Sequence, residues 1–404
     1  MLRDSEGSVF ANMKNINFQV FAPRLTELRR KFHRIPELGF EEIETSKMIR
    51  AELDELGIDY QTGIGGTGIL ARIEGKSKHP LILLRFDMDG LPIQEQNEVE
   101  YKSVHPGRMH ACGHDSHVAT GLVLAKLLSE NKDSLKGSVE IFFQPAEESF
   151  GGAEALLNSG LLETDKPDHA LAFHVWNERP LGWVGIASGP VMAGDDVFEI
   201  QLTGVGGHGA IPNKTVDPIA AGASIVQALQ TIVSRNVDPL KPAVLSVTKF
   251  RSGETCNVIP EKAELLGTLR YFDTEIHDIL TKRLTEIVMD CAEAFGCHAD
   301  IKITQLTTPV INDVSTTKLI TKVVLGSGLK VDIDSGFKTM GSEDMALILQ
   351  KIPGTYLFVG SANAKTGKIH GHHHPQFDID EKALPIALQI LYLSTMELAN
   401  QNKE

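Results

Sequence analysis

Residues 139–148 read VEIFFQPAEE, and they combine a strand pattern with a chemical signal. The apolar run at the start is typical of a buried strand, and Glu147 and Glu148 stand side by side where that strand ends. Two adjacent carboxylates are unfavourable in a core but useful in catalysis, because one can bind a metal ion while the other accepts a proton from water. This stretch therefore predicts a buried strand that ends at a reactive site.

Residues that commonly bind metal ions occur on both sides of this stretch. Thiol, imidazole and carboxylate groups are the usual protein ligands of zinc-like ions. Cys112 and His114 precede the carboxylate pair, and His174 follows it. Near the end of the chain there is a histidine cluster that comprises His370, His372, His373 and His374. The sequence thus supplies metal-binding groups from several separate segments.

Strand-like and helical segments alternate around these residues. Apolar runs of buried-strand type are followed by segments with the helical spacing of apolar residues. The predicted strands are 81–84, 139–143 and 170–173, and the predicted helical segments are 21–56, 118–128 and 153–157. Buried strands that alternate with helices predict an α/β fold, with a catalytic domain whose mostly parallel sheet is flanked by helices.

The candidate residues fall where a sheet of this kind binds ligands, which is at the carboxyl ends of its strands. Asp87 and Asp89 follow the strand at 81–84, and His174 is predicted to end the strand at 170–173. Cys112 and His114 lie just before a predicted helix, whose N-terminus favours a thiolate. We therefore expect these segments to converge at one edge of the sheet.

A different pattern begins at about residue 195. Strand, helix, strand, strand, helix and strand follow in that order, which is the order of a ferredoxin-like unit. Asp217 and Pro218 predict the start of the first of these helices, because Asp is a good N-cap and Pro is favoured in the first turn. We expect residues 192–305 to form an inserted ferredoxin-like α+β lid or dimerisation domain between the catalytic segments 1–191 and 306–404.

Composition restricts the class of partner. The 404 residues carry a net charge of −14, which argues against nucleic acid and anionic membranes, because phosphate groups favour a basic surface. The four cysteines are too scattered for a disulfide framework, and residues 1–6 lack the basic start and apolar run of a signal peptide. No apolar stretch reaches the roughly 20 residues that a transmembrane helix needs. We therefore expect a cytoplasmic protein.

Each candidate residue has an ordinary structural interpretation when it is taken alone. A single buried cysteine such as Cys112 usually serves packing, and the pair Glu147–Glu148 fits a solvated helix start. His174 could be a hydrogen-bonded strand-end histidine, and residues 370–374 could form an adventitious surface metal site. The closest rivals for ligand roles are His110 and His117.

Ordered motifs along nearly the whole chain carry a resemblance to a known family. The motifs are LRRKFHRIPELGF at 28–40, DMDGLP at 87–92, MHACGHD at 109–115, QPAEE at 144–148, GGHGAIP at 206–212, NVIP at 257–260, GTLR at 267–270 and HHPQFD at 373–378. With them the chain resembles the amidohydrolases that include hippurate hydrolase, indole-acetyl-amino-acid hydrolase and N-acyl-amino-acid deacylases. These belong to the larger aminoacylase and carboxypeptidase group of dinuclear metal enzymes.

The resemblance implies a centre with two divalent metal ions. The implied ligands are Cys112, His114, Glu148, His174 and His373. His373 is chosen over its neighbours because the family's ligand stands two residues before a proline, here Pro375. A thiolate ligand favours zinc, and the carboxylate leaves manganese, cobalt or nickel open.

The resemblance also implies roles around the metal ligands. Glu147 corresponds to the general base and acid, and His208 to a histidine of the inserted domain that reaches the active site, often from a partner subunit. The residues that match positions near the substrate carboxylate are Asn257 and Arg270. The residues that match positions behind the ligands are Asp89 and Asp115, a support that metal-bound histidines require.

The expected activity is the metal-dependent hydrolysis of the amide bond of an N-acyl or N-aroyl L-amino acid, which yields a carboxylic acid and a free amino acid. The residues that could line a pocket for the acyl group are Phe150, Trp176, Trp183 and Met192. We also expect a homodimer that forms through the lid domain. A dipeptidase or carboxypeptidase with the same dinuclear site remains an alternative. A non-catalytic metal-binding protein is a second alternative, although a storage site has no need of a spare base such as Glu147.

Overall fold

The computed structural model describes residues 16–149 and 151–401. Residues 1–6, which the signal-peptide prediction concerned, and Phe150 of the candidate acyl pocket lie outside these ranges. The chain divides into two compact units. The first comprises the residues up to Gly189, Ile311–Lys338 and Asp344–Glu404, and the second comprises Pro190–Val310 and Thr339–Glu343. None of the helices in the described ranges has the length and apolar character needed to cross a bilayer.

Helices and strands alternate through most of the described chain. The helices are α1 (Ala22–His33), α2 (Ile43–Leu56), α3 (His114–Glu130), α4 (Gly152–Asn158), α5 (Leu161–Thr164), α6 (Pro218–Arg235), α7 (Thr274–Ala294), α8 (Val314–Gly326), α9 (Met345–Leu349) and α10 (Ala383–Ala399). Single 3-10 turns occur at Phe18–Phe21, Lys132–Ser134, Pro212–Lys214 and Ala364–Thr366. The strands are β1 (Asp59–Ile64), β2 (Gly68–Ile73), β3 (Leu81–Asp87), β4 (Ser138–Gln144), β5 (His169–Pro180), β6 (Trp183–Gly185), β7 (Gly189–Met192), β8 (Gly194–Thr203), β9 (Gly207–His208), β10 (Ala243–Ser252), β11 (Val258–Ile259), β12 (Lys262–Tyr271), β13 (His298–Thr307), β14 (Val310–Asn312), β15 (Asp332–Asp334) and β16 (Gly354–Ala362).

The first unit is built on a sheet with the strand order β1-β2-β4-β3-β5-β16-β6-β15. Its central strands β4, β3, β5 and β16 are parallel neighbours. Antiparallel pairings extend the sheet on both sides, through β2 and β1 on one side and β6 on the other. Every residue of β3 and β4 is buried, as expected for strands that are covered on both faces. The predicted α/β fold with a parallel centre is confirmed, and the edge strands make the complete sheet mixed.

The predicted helical segment 21–56 is wrong in one respect, because residues 34–42 interrupt it. The helix α1 ends at His33, and Pro36 disfavours helical backbone at the residue before it. A β-carbon on Gly39 would lie 3.0 Å from the Cβ of Ala146, so the interrupting loop passes directly against the turn that follows β4. Apolar residues at helical spacing occur on both sides of this break, so the sequence pattern predicted one continuous helical segment.

The second unit contains an antiparallel sheet with the strand order β10-β12-β8-β13. Successive residues of β12 alternate between buried and partly exposed, and the apolar faces of α6 and α7 join the same core. The carboxylate of Asp217 accepts the backbone N–H of Ile219 at 2.8 Å, which confirms the predicted cap of α6. The elements β8, α6, β10, β12, α7 and β13 follow in ferredoxin-like order.

A fully buried guanidinium joins three segments of the first unit. Arg29 of α1 donates from Nε to Asp115 at 3.0 Å, from Nη2 to Asp378 at 2.6 Å and from Nη1 to Glu381 at 3.1 Å. His33 also contacts Asp115, at 2.8 Å. Burial alone would raise the pKa of Asp115, but the charges of Arg29 and His33 hold it well below its usual range. Residues far apart in sequence therefore depend on one cation.

We expect Arg29→Met to lower the free energy of unfolding by about 3–5 kcal/mol, because the variant leaves buried carboxylates without their cation. Urea denaturation of the purified variant measures the loss. Arg24→Met is the matched control, since the Arg24 side chain is 37% exposed and its removal should change stability by no more than about 0.5 kcal/mol. Equal losses in the two variants would contradict the assigned role of Arg29.

Candidate metal centre

The candidate residues lie around the carboxyl ends of the central strands, as predicted. Glu147 and Glu148 follow β4, and His114 begins α3. His174 does not end its strand, which corrects the sequence prediction, because β5 continues to Pro180. The backbone of His174 pairs with Phe358 of β16, and the pairing of β5 with β3 ends at Ala172. The His174 ring projects beside the other candidates, with its centroid 6.0 Å from that of the His114 ring.

All five implied ligands meet in this region. Each of the following groups has one donor atom per residue within 4.8 Å of the others: Cys112, His114 and His174; Cys112, Glu148 and His373; and His114, Glu147 and Glu148. Because Cys112 and Glu148 recur between groups, the groups overlap and form one centre. A thiol, imidazoles and carboxylates are a donor set suited to zinc and to neighbouring transition metals.

The hydrogen bond of His114 leaves one ring nitrogen open toward the centre. Its Nδ1–H donates to Asp89 Oδ1 at 3.1 Å, and its buried Nε2 has no hydrogen-bond partner among the described residues. A carboxylate behind the ring is the usual support of a metal-bound histidine. Burial opposes a charge here, but the carboxylates of Asp87 and Asp89 raise the pKa of His114 to about 10. The surroundings therefore favour a cation.

His174 also turns its Nε2 toward the centre, but its Nδ1–H is bound by a backbone oxygen instead of a carboxylate. Its Nδ1–H donates to the backbone oxygen of Val175 at 2.5 Å, so the lone pair of the neutral ring is on Nε2. That Nε2 lies 3.4 Å from the Cys112 sulfur. Burial and the carboxylates of Glu148 and Glu147 raise the pKa of the Cys112 thiol well above its usual range. A thiolate at this position therefore requires a neighbouring cation.

Two rival histidines are excluded as Nε2 ligands by their contacts. The Nε2 of His117 accepts the backbone N–H of Val175 at 3.1 Å, and its Nδ1–H donates to Asp87 at 2.5 Å. The Nε2 of His372 likewise accepts the backbone N–H of Asn177, at 3.2 Å. Both lone pairs are therefore occupied. The third rival, His110, belongs to none of the candidate groups found in the described ranges.

The histidine cluster at 370–374 separates into different environments. His373 adopts a left-handed backbone conformation with φ of 64°, and its Nε2 lies 3.3 Å from Glu148 Oε1. The rings of His370 and His374 stack on each other at 4.3 Å. The Nδ1 of His372 lies 3.9 Å from the Cys112 sulfur, so His372 and His373 both lie at the centre, and His373 is the one of the cluster that belongs to a candidate ligand group.

Asp89 binds the backbone of the turn that carries the two adjacent glutamates. The backbone N–H of Glu148 donates to Asp89 Oδ2 at 3.1 Å, so Asp89 supports both His114 and the glutamate turn. Glu147 is only 6% exposed, and its Oε2 lies 3.9 Å from His114 Nε2. Its carboxylate therefore stands beside the ligand group.

The sequence interpretation missed a second buried cation behind the centre. Arg85 lies in β3 and contacts Asp87 at 2.5 Å, Asp344 at 2.9 Å and Gln144 at 2.9 Å. Gln144 also donates to both oxygens of Asp344, at 2.8 and 2.9 Å. A charged residue inside the apolar run LILLRFD was the available signal. This network holds together the strand ends that precede Asp89 and Glu147.

The second unit contains the remaining candidate residues. His208 pairs with Val258 across β9 and β11, and Gly209 N–H donates to Asn257 O at 2.8 Å, so His208 and Asn257 lie close together. The Nδ1 of His208 accepts the backbone N–H of Ala210 at 3.0 Å, which places the proton of the neutral ring on Nε2. Within this unit, Arg270 is bound separately, by Asp195 at 2.9 Å and Ser342 at 2.6 Å.

The chain is similar to hydrolases over almost its whole length. The profile of Peptidase family M20/M25/M40 matches residues 83–397. N-acetyl-L-cysteine deacetylase of Bacillus subtilis is 40% identical, with 96% of this chain and 91% of the relative covered. IAA-amino acid hydrolase ILR1-like 4 of Arabidopsis thaliana is 38% identical, with coverages of 93% and 87%. The solved structure of Bacillus subtilis YXEP protein, described as a dinuclear metal-binding peptidase from the M20 family, superposes with a TM-score of 0.83 at 34% identity and covers 95% of this chain and 100% of that one.

We expect Asp89→Asn to weaken metal binding by about 10- to 100-fold, because the amide cannot accept from both His114 and the Glu148 N–H. Elemental analysis after dialysis against graded chelator concentrations measures the affinity. The exposed Asp290→Asn is the control and should bind metal like the parent protein. Unchanged affinity in Asp89→Asn would remove Asp89 from the support of the centre.

Proposed function

This chain belongs to the peptidase family M20/M25/M40 and is a hydrolase, and we propose that it cleaves the amide bond of N-acyl or N-aroyl L-amino acids. The products are a carboxylic acid and a free amino acid. The observation that carries the proposal is the position of Glu147, a buried carboxylate 3.9 Å from the open Nε2 of His114. Here a base stands next to a set of converging metal donors.

We assign two divalent ions to the converging donors. Their ligands are Cys112, His114, Glu148, His174 and His373. When bound, such ions supply Lewis acidity that polarises the substrate carbonyl and lowers the pKa of water. The donors fit this group, because the Nε2 of His114 has no hydrogen-bond partner among the described residues, the Nε2 of His174 faces the Cys112 sulfur, and the surrounding carboxylates favour positive charge. Zinc, manganese, cobalt and nickel are all compatible with this donor set.

Glu147 moves the proton in the proposed reaction. Its carboxylate accepts a proton from water as the water oxygen bonds to the amide carbon. It then delivers that proton to the amide nitrogen as the carbon–nitrogen bond breaks, and the amino acid leaves as an amine. In its neutral form His208 carries a proton on Nε2, which suits it to donate to the carbonyl oxygen as negative charge develops there.

Arg270 and Asn257 are proposed to bind the carboxylate of the amino-acid part. An arginine has several N–H donors, and the contacts of Arg270 with Asp195 and Ser342 leave donors for a ligand. At the metal centre, the Trp176 ring lies 5.8 Å from the His174 ring and packs against Phe337 and Phe358. An aromatic wall of this kind favours an apolar or aromatic acyl group.

A dipeptidase or carboxypeptidase activity is the second candidate function. It is favoured by the similarity to a Bacillus subtilis protein described as a peptidase. A dipeptide carries an ammonium group beside the scissile carbonyl, whereas an N-acyl amino acid carries an uncharged acyl group. Comparing the kcat/KM of matched acyl-amino acids and dipeptides separates the two functions.

We further propose a homodimer through the second unit. Strands β10 and β13 form the edges of its sheet, and unpaired edges favour pairing with another chain. Analytical ultracentrifugation should find about twice the mass of one chain. A monomer with full activity would contradict this assignment.

We expect Glu147→Gln to lower kcat by about 10²–10⁴-fold, because the amide retains the size of the side chain but cannot accept a proton. Metal content should remain at the parent level. The exposed Glu154→Gln serves as control and should retain parent kcat. Near-normal turnover of Glu147→Gln would show that another group is the base.

We expect N-benzoylglycine to be cleaved with a kcat/KM about 10- to 100-fold above that of its carboxamide, because only the acid pairs with a guanidinium. In Arg270→Met this ratio should fall toward one, since the positive partner is gone. Initial rates on both substrates with both proteins give the ratio. An unchanged ratio in the variant would remove Arg270 from the carboxylate site.

A further inference from the structure

The turn before Glu147 has an unusual backbone conformation. Ala146 has a φ of 52°, in the left-handed region that residues with a β-carbon rarely adopt. Such a conformation persists only where surrounding contacts determine it. Because Ala146 directly precedes Glu147, its backbone conformation affects where the Cα–Cβ bond of Glu147 is placed relative to β4.

The side chain of Glu42 holds this turn from the loop between α1 and α2. Its Oε1 accepts the backbone N–H of Ala146 at 2.8 Å, and its Oε2 accepts the hydroxyl of Thr67 at 2.7 Å. Glu42 is completely buried. The carboxylate therefore binds a donor on each of its oxygens and has a defined orientation.

The side chain of Glu42 is not needed to start the adjacent helix. Although the backbone oxygen of Glu42 accepts the N–H of Ser46, its side chain makes no cap of α2. The carboxylate that binds the first N–H groups of α2 is that of Glu37, which accepts from Glu44 at 3.1 Å and from Thr45 at 2.9 Å. The same loop thus carries two buried carboxylates with separate tasks, one at the helix and one at the glutamate turn.

Other contacts restrict the same turn. Gly39 lies so close that an added β-carbon would be 3.0 Å from Ala146, and Gly151 N–H donates to Ala146 O at 3.2 Å. At the far end, Asp89 accepts the N–H of Glu148. Glu42 and Asp89 therefore hold the N–H groups on either side of Glu147.

We propose that Glu42 is a positioning residue, whose carboxylate keeps Ala146 left-handed and thereby directs Glu147 toward the reacting water. The proposal rests on the proposed function of Glu147 as the base. Glu42 itself touches neither substrate nor metal in this account. Its effect should therefore appear in kcat and depend on the presence of Glu147.

The first test compares Glu42→Ala, Glu42→Gln and the control Glu37→Ala. We expect Glu42→Ala to lower kcat by about 10- to 100-fold with unchanged KM and metal content, because a displaced base reacts slowly. Glu42→Gln retains an oxygen that accepts the Ala146 N–H, so it should recover most of kcat. Glu37→Ala loses the bonds at α2 but should retain kcat. Parent kcat in Glu42→Ala, no recovery in Glu42→Gln, or an equal loss in Glu37→Ala would each overturn the proposal.

The second test uses the dependence on Glu147. Added to Glu147→Gln, the change Glu42→Ala should cause no further loss of kcat, because no base remains to be positioned. A further loss would indicate a general structural role and would overturn the proposal. If Glu42→Ala does not fold, Thr67→Val replaces it, since this variant removes the donor that orients Glu42. A lower kcat with parent KM supports the proposal, and parent kcat contradicts it.

These outcomes separate the inference from the proposed function. An inactive Glu147→Gln together with a fully active Glu42→Ala would overturn the positioning role alone. An active Glu147→Gln would overturn the proposed role of Glu147, and the inference with it.

Discussion

The buried guanidinium of Arg29 is the interaction on which the first unit depends. Burying a charge is costly unless opposite charges or hydrogen-bond partners compensate for the lost water. Arg29 forms an ion pair with Asp115 at the start of α3. It also pairs with Asp378 and Glu381, which follow His373 in the sequence. Because Asp115 directly follows His114 and Asp378 lies five residues after His373, the ion pairs of Arg29 bring two segments that carry candidate ligands together. The stability of the core and the geometry of the centre therefore have a common origin.

Arg85 performs a similar task on the strand side. It joins Asp87 at the end of β3 to Gln144 at the end of β4 and to Asp344 before α9. Asp87 in turn orients His117, while Asp89, two residues further on, orients His114. The candidate ligands are thus held by a surrounding layer of ionic and hydrogen-bonded groups. Such a layer limits the freedom of the ligand side chains before any ion is bound.

Local patterns predicted the parts of the fold that are uniformly buried. The strands β3 and β4 are buried at every position, so their apolar runs were clear. The strand β1 is mostly exposed and reads DYQTGI, so it has no run of apolar residues from which a strand could be predicted. The break at residues 34–42 was missed although Pro36 was a local signal for it, and what holds the loop in place is a contact of Glu42 with Ala146, about 100 residues away in the sequence. Contacts at such separation have no signature in a local window.

The sequence by itself determined the α/β alternation, the chemical types of the donors and their places near strand ends. It also presented neighbouring histidines: His117 stands three residues after His114, and His372 directly precedes His373. The family resemblance favoured His114 and His373, and the tertiary structure adds a physical reason, because a ring can bind a metal through Nε2 only where no backbone N–H occupies that lone pair. His117 receives the N–H of Val175 from 58 residues away, and His372 that of Asn177 from 195 residues away. The direction of those hydrogen bonds is decided by which distant segment packs against each ring, and that is a property of the folded chain.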